Sequence, residues 1–206
     1  MAYESEKIEH QKFLGYKNRK GKIIILNGTS SAGKTTLAEA LQKDLDEPYF
    51  LVQLDAFEDM IPERFLTGKS EEYEALTLSA QAMNNSIAYL SSRGVNVIVD
   101  TVFINYPGFD TWLKDCVQAI WEYDVFFIGV HCPIHELECR EKERGDRDIG
   151  QAKWQFDKVH THKIYDIEVN SYENTIEECV KMIKEKLDFG NEQNAFAKLN
   201  NLYKAR

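Results

Sequence analysis

Apolar residues recur along the chain with two alternating periods. KIIILN (22–27) is a nearly continuous apolar run, the pattern of a central parallel strand covered on both faces. From Ser31 to Leu45 the apolar positions Leu37, Ala40, Leu41 and Leu45 fall on one helical face. YFLVQLD (49–55) predicts a second strand, entered through Glu47–Pro48, where proline disfavours helix. Residues 71–92 carry Ala75, Leu78, Ala82, Met83, Ile87 and Leu90 at helical spacing, closed by Gly94. VNVIVD (95–100) predicts a third strand, 108–121 a helix, and DVFFIGVHC (124–132) a fourth strand. From 134 to about 160 the chain is charged and then helical; YDIEVN (165–170) reads as a fifth strand and Thr175–Leu187 as a closing helix. Strands alternating with longer amphipathic segments predict an α/β layer fold. One domain over 21–187 accounts for the pattern, with a polar arm at 1–20 and an Asn-rich, weakly amphipathic tail at 188–206.

Between the first strand and the first helix stands GTSSAGKTT (28–36), which meets G-x-x-x-x-G-K-[ST] at every fixed position. The strand–loop–helix frame is what the chemistry requires. Gly28 and Gly33 permit backbone conformations and close approaches that a Cβ would block. The amides of Thr29, Ser30, Ser31, Ala32 and Gly33, with the helix N-terminus at Lys34–Thr36, form a cradle for the phosphates of ATP. Lys34 is expected to reach the β/γ oxygens and the Thr35 hydroxyl to ligate Mg²⁺.

Ligands of open α/β sheets gather at the carboxyl ends of the strands, and two aspartates are expected there. Asp55, read as the end of strand two, is the candidate base for an acceptor hydroxyl. Asp100, after VNVIV, is placed like a carboxylate that holds Mg²⁺ with Thr35. CREKERGDRDIGQAK (139–153) concentrates Arg140, Arg144 and Arg147, whose guanidinium forks suit phosphate, in a segment expected to form a short helical lid. An acceptor pocket is expected between Asp55, the 56–80 segment and the 101–112 loop, with Phe57, Met60, Phe65, Phe103 and Tyr106 as candidate walls.

Composition narrows the partners. Of 206 residues, 34 are acids and 25 are bases, a formal charge of −9 that repels nucleic-acid backbones and anionic lipid. No apolar run approaches the roughly 18 residues of a membrane span. The charged N-terminus has no apolar signal core, and the four cysteines form no C-x-x-C pair, so a reducing cytoplasm is expected. His131, Cys132, His135 and Cys139, with His160 and His162 later, match no standard metal-ligand spacing. A homo-oligomer is compatible with these data, which leave oligomeric state open.

Taken together, IIILNGTSSAGKTTLAEALQ (23–42), LDAFEDMIP (54–62), VNVIVDTVF (95–103), IGVHCPIHELECREKERGDRDIGQAK (128–153) and the VH…YDIEVNS pattern (159–171) resemble the chloramphenicol phosphotransferase-like family of P-loop kinases. The resemblance implies the P-loop NTPase three-layer fold with a five-stranded parallel sheet, ATP, Mg²⁺ and a small hydroxylated acceptor (a phosphotransferase with an alcohol group as acceptor). It also implies that Asp55 matches the family's general base and that Arg140, Arg144 and Arg147 match its lid. The chain departs from the family pattern at Asp100–Thr101, where two acids are frequent, at His131, where Arg is frequent, and at Asn170, where Asp is frequent. The acceptor is therefore open. The alternatives are a kinase acting on a nucleotide or macromolecule, and an ATP-gated binding protein with slow hydrolysis.

Overall fold

The computed structural model describes residues 19–205 apart from 67, 69, 145–148 and 189–193. Five parallel strands, β1 (Ile23–Asn27), β2 (Tyr49–Gln53), β3 (Asn96–Thr101), β4 (Val125–His131) and β5 (Ile167–Asn170), form one sheet in the order β2-β3-β1-β4-β5. The order reverses between β1 and its neighbours, which places a crevice at the carboxyl end of β1, as in other doubly wound sheets.

Helices cover both faces. They are α1 (Lys34–Asp44), α2 (Leu54–Glu58), α3 (Ser70–Ser92), α4 (Trp112–Ile120), α5 (Ile134–Arg144), α6 (Gln151–Val159), α7 (Ile176–Asp188) and α8 (Ala195–Lys204). Strand periodicity assigns the faces. Ile23 and Ile25 pack with Val97, Val99, Val125 and Phe127 against α3, α4 and α8. Ile24 and Leu26 face the other way, with Ile98, Phe126 and Ile128, against α1 and α7. Both faces of β1 are dry, which is why its sequence is an unbroken apolar run.

Three differences from the expected elements bear on function. Strand β2 stops at Gln53, and Asp55 lies in the first turn of α2 rather than at a strand end. Leu54 is buried, so the chain turns to bring it inward, and a carboxylate in a first turn is favoured by the helix dipole. The segment from 134 to about 160 divides into two helices, α5 and α6; Arg147 lies outside the described residues. The end of the chain contributes a core element. Asn194 caps α8 by accepting from the Ala197 amide at 2.7 Å, and Phe196, fully buried, meets Phe127 edge-on at 5.1 Å. Asp166 joins α8 to the sheet, accepting from the Phe127 amide at 2.7 Å and the Ala195 amide at 2.8 Å.

Candidate active site

The loop after β1 is fixed from below. A Cβ on Gly28 would lie 2.4 Å from the Val130 carbonyl oxygen, so only glycine lets the loop pass this close to β4. Gly33 precedes α1 with φ of 83°, in the left-handed region. It makes no side-chain cap and no acid occupies the first turn of α1, so neither competes for the amides of that helix terminus. Ser30 and Ser31 are buried, and their hydroxyls have no partner among the described residues. A glycine-bounded turn, an uncapped helix N-terminus and buried hydroxyls without partners are the donor set that a polyphosphate needs, so the residues fit ATP.

Lys34 donates to the Thr29 carbonyl at 2.9 Å and lies 3.9 Å from Asp100 Oδ1. The Thr35 hydroxyl donates to Asp100 Oδ2 at 2.6 Å. Asp100, 8% exposed at the end of β3, and Thr35 therefore present an oxygen pair suited to a hard divalent cation.

Asp55, Arg144, Lys34, Thr35 and Asp100 all line one cavity of about 290 Å³. It lies between α2, the first turns of α3 and the loop after β3, the region expected from sequence. The expected walls are not the ones used. Leu76, Phe109, Trp112 and Trp154 line the cavity, whereas Phe57, Met60, Phe65, Phe103 and Tyr106 do not. Phe103 turns into the core against Phe127, and Met60 is largely exposed.

The two described arginines separate. Arg144, at the end of α5, reaches the cavity. Arg140 does not: its Nη1 and Nη2 donate to Ser171 Oγ and the Ser171 carbonyl, both at 3.1 Å, and its Nε to Glu136 at 2.8 Å. Ser171 in turn donates to the Ala32 carbonyl at 2.8 Å, so Arg140 braces the phosphate loop from the side of β5.

Several supporting residues escaped the sequence reading. Gln155 on α6, buried, accepts the Ser30 amide at 2.6 Å and so ties α6 to the phosphate loop. Glu141, 1% exposed, accepts from the amides of Gly150 at 2.6 Å and Ala152 at 2.8 Å, fixing the start of α6 to α5. Under the loop, Asn27 accepts the Phe103 amide at 2.8 Å and donates to the Tyr165 hydroxyl at 2.7 Å, which lies 2.7 Å from His160 Nδ1. His160 stacks on His131, whose Nε2 is 2.7 Å from Glu168. Burial, reinforced by His131, His162 and Lys34 nearby, pushes His160 down to about 3, so the imidazole stays neutral. Burial raises the Tyr165 phenol well above its ordinary range. The types and spacing of these residues in the sequence do not reveal what each one bonds.

A model of chloramphenicol phosphotransferase-like proteins matches residues 21–188. The chain belongs to the chloramphenicol phosphotransferase-like family. This membership makes it a kinase-type phosphotransferase. A Mycobacterium tuberculosis protein, provisionally named an O-phosphotransferase, is 28% identical over 187 residues, covering 80% of this chain and 81% of its own. Solved structures show the same fold. A gluconokinase from Sinorhizobium meliloti is 18% identical with a TM-score of 0.60, over 90% of this chain and 98% of that one. A shikimate kinase from Acinetobacter baumannii in complex with shikimate is 12% identical with a TM-score of 0.60, over 87% and 98%. A tunicamycin resistance protein from Deinococcus radiodurans is 14% identical with a TM-score of 0.59, over 82% and 96%. Family and site agree on phosphoryl transfer; α8 lies beyond the family match yet within the core.

Proposed function

We propose that this protein transfers the γ-phosphoryl group of ATP to a hydroxyl of a small molecule seated beside Asp55. The observation that carries this reading is one cavity lined at once by the phosphate loop, Asp100, Asp55 and Arg144. In the step, the acceptor oxygen bonds to the γ-phosphorus, the bond from that phosphorus to the β–γ bridging oxygen breaks, and ADP departs. The hydroxyl proton passes to the Asp55 carboxylate, which stands in the exposed first turn of α2, within reach of a bound acceptor. Lys34 and Arg144 stabilise the charge on the moving phosphoryl group, and Arg147 is assigned to the same task from the family resemblance. Thr35 and Asp100 would hold Mg²⁺, which when bound draws charge from the phosphate oxygens. The amides of residues 28–36 hold the nucleotide, and Arg140 keeps their loop in place through Ser171.

The kinases of this fold named above differ in the sugar acid or ring acid they serve, so the acceptor does not follow from the fold. The family name puts chloramphenicol first on a panel of hydroxylated antibiotics, sugars, nucleosides and nucleotides, incubated with Mg·ATP and read by mass gain of one phosphoryl group. Asp55→Asn is expected to lower kcat by about 10²- to 10⁴-fold on the acceptor found, with ATP binding kept. Full transfer by that variant would sink the role of Asp55.

A further inference from the structure

Helix α6 turns one face inward, and the residues buried on it are Ala152, Gln155 and Val159. Steps of three and four residues mark a core-facing stripe. Ala152 and Val159 fill it with apolar groups and are fully buried, whereas Gln155, 3% exposed, sets a carboxamide between them. A buried carboxamide is costly unless both of its ends are bonded, so one kept in such a stripe calls for a use at each end.

One end is used within the protein. The Ser30 amide donates to Gln155 Oε1 at 2.6 Å, and because an N–H bonds only an acceptor, this contact fixes which way the carboxamide is turned. The other end is open. Nε2 has no partner among the described residues and is not sealed from solvent, and Gln155 lines the cavity shared by Asp55, Lys34 and Arg144. Its two N–H donors therefore open on that cavity. They are set in place before any ligand arrives, since Glu141 anchors the start of α6 and Ser30 holds the tip of the side chain. A donor fixed in this way loses nothing to reorganisation when charge develops beside it.

We infer that Gln155 is a further catalytic residue, whose Nε2 donates to a non-bridging oxygen of the phosphoryl group in transfer while Oε1 keeps that donor registered on Ser30. The role rests on the phosphotransfer reading, which sends this group from the phosphate loop to a hydroxyl beside Asp55, through a cavity that all three line. Gln155 takes no proton and forms no covalent bond; the bond changes are those given above. Lys34 and Arg144 bring charge to the phosphoryl oxygens, and Gln155 adds a neutral donor of fixed direction.

The test separates the two ends of the side chain. Gln155→Glu keeps an acceptor for the Ser30 amide and removes the N–H donors; Gln155→Met, similar in length and neutral, removes both. Calorimetric titration of AMPPNP and of ADP onto the full chain with Mg²⁺ reads the γ-group as the ratio of the two affinities. Both variants are expected to lower the AMPPNP-to-ADP ratio about tenfold and, on an acceptor found by the panel, to lower kcat by about 10- to 10²-fold. Without nucleotide, Gln155→Glu should melt within about 2 °C of the wild type and Gln155→Met about 3–6 °C lower, because only methionine leaves the Ser30 amide unpaired. A ratio unchanged in both variants would overturn the inference, and transfer still seen in the wild type would leave the phosphotransfer reading standing. A ratio lowered in Gln155→Glu alone would trace to repulsion by the new carboxylate and would overturn it too. Lowered ratios in both variants, with no acceptor phosphorylated by the wild type, would uphold the contact with the γ-phosphate and count against transfer. Wild-type protein that binds neither nucleotide would overturn both.

Discussion

The two halves of the site are built differently. The nucleotide half is held by buried groups from several elements: Asn27 by Tyr165 and the Phe103 amide, Gly28 by contact with β4, Ala32 by Ser171, and Ser30 by Gln155. The acceptor half stands on a five-residue helix and the first turn of another, with Asp55 exposed and Trp154 39% exposed. One half is fixed by many partners; the other presents exposed side chains, Asp55 and Trp154 among them, beside the buried Phe109 and Trp112. A fold that keeps one phosphate donor and varies its acceptor is expected to divide in this way.

The largest expected effect tests the fixed half. Lys34→Met should lower kcat by about 10²- to 10³-fold, since no other described group lining the cavity puts an ammonium at the phosphate loop. The fold should persist, because Lys34 stands at the cavity and outside both apolar core clusters. Unchanged turnover in a steady-state assay would show that the loop does not hold the reacting phosphate.

Next is the joint between the halves. Glu141→Ala would leave the half-buried amide of Gly150 and the buried amide of Ala152 without their acceptor and release α6, which carries both Gln155 and Trp154. The expected loss is about 2–3 kcal/mol, a fall of roughly 5–10 °C in Tm by calorimetry. A Tm unchanged within a degree would mean that α6 is anchored elsewhere.

The same division explains what could be read from the sequence. The sheet and the phosphate loop were legible because strand periodicity and the glycine–lysine spacing are local in the chain. Asp55 was found as a residue but misplaced as a strand end, because an apolar run does not show where the last sheet bond falls; the turn is decided by the burial of Leu54. The pocket's position followed from topology, yet its aromatic walls did not. Trp112 sits on the face of α4 that also reads as core, Phe109 lies in the turn before it, and Trp154 enters from α6, more than forty residues later. Phe196 was invisible for a similar reason, since a short Asn-rich helix gives no sign of the Phe127 ring it meets. Gln155 and Ser171 act through partners distant in sequence, and Glu141 through amides beyond the end of its own helix, where no helical or strand periodicity can betray them.

A smaller effect should sharpen the comparison. Arg140→Ala removes the brace on Ser171 and is expected to raise the KM for ATP about tenfold with kcat little changed. Arg144→Ala, at the cavity, should instead lower kcat by at least about tenfold with the KM for ATP little changed. Steady-state kinetics separates the two, and identical profiles would erase the distinction between a positioning arginine and one that touches the reacting group.

The smallest expected effect concerns acid. His160 and His162 are pushed by burial from 6.5 to about 3 and about 4, respectively. His162 accepts the Ile164 amide at 3.1 Å and stacks on Phe127, and His160 supports Tyr165 beneath the phosphate loop. As pH falls below about 6.5, the unfolded chain takes up protons that the folded imidazoles refuse, so stability is lost on acidification and the loss continues toward the folded values. Between pH 7 and pH 6 the two histidines together should lower the unfolding free energy by about 1 kcal/mol, read from urea midpoints. His162→Phe keeps a ring against Phe127 and should remove about half of that slope. Because both groups lie under the nucleotide half, the acid-induced loosening should appear first in weaker ATP binding. A slope untouched by His162→Phe would take His162 out of the acid sensitivity and leave it to His160 and the carboxylates.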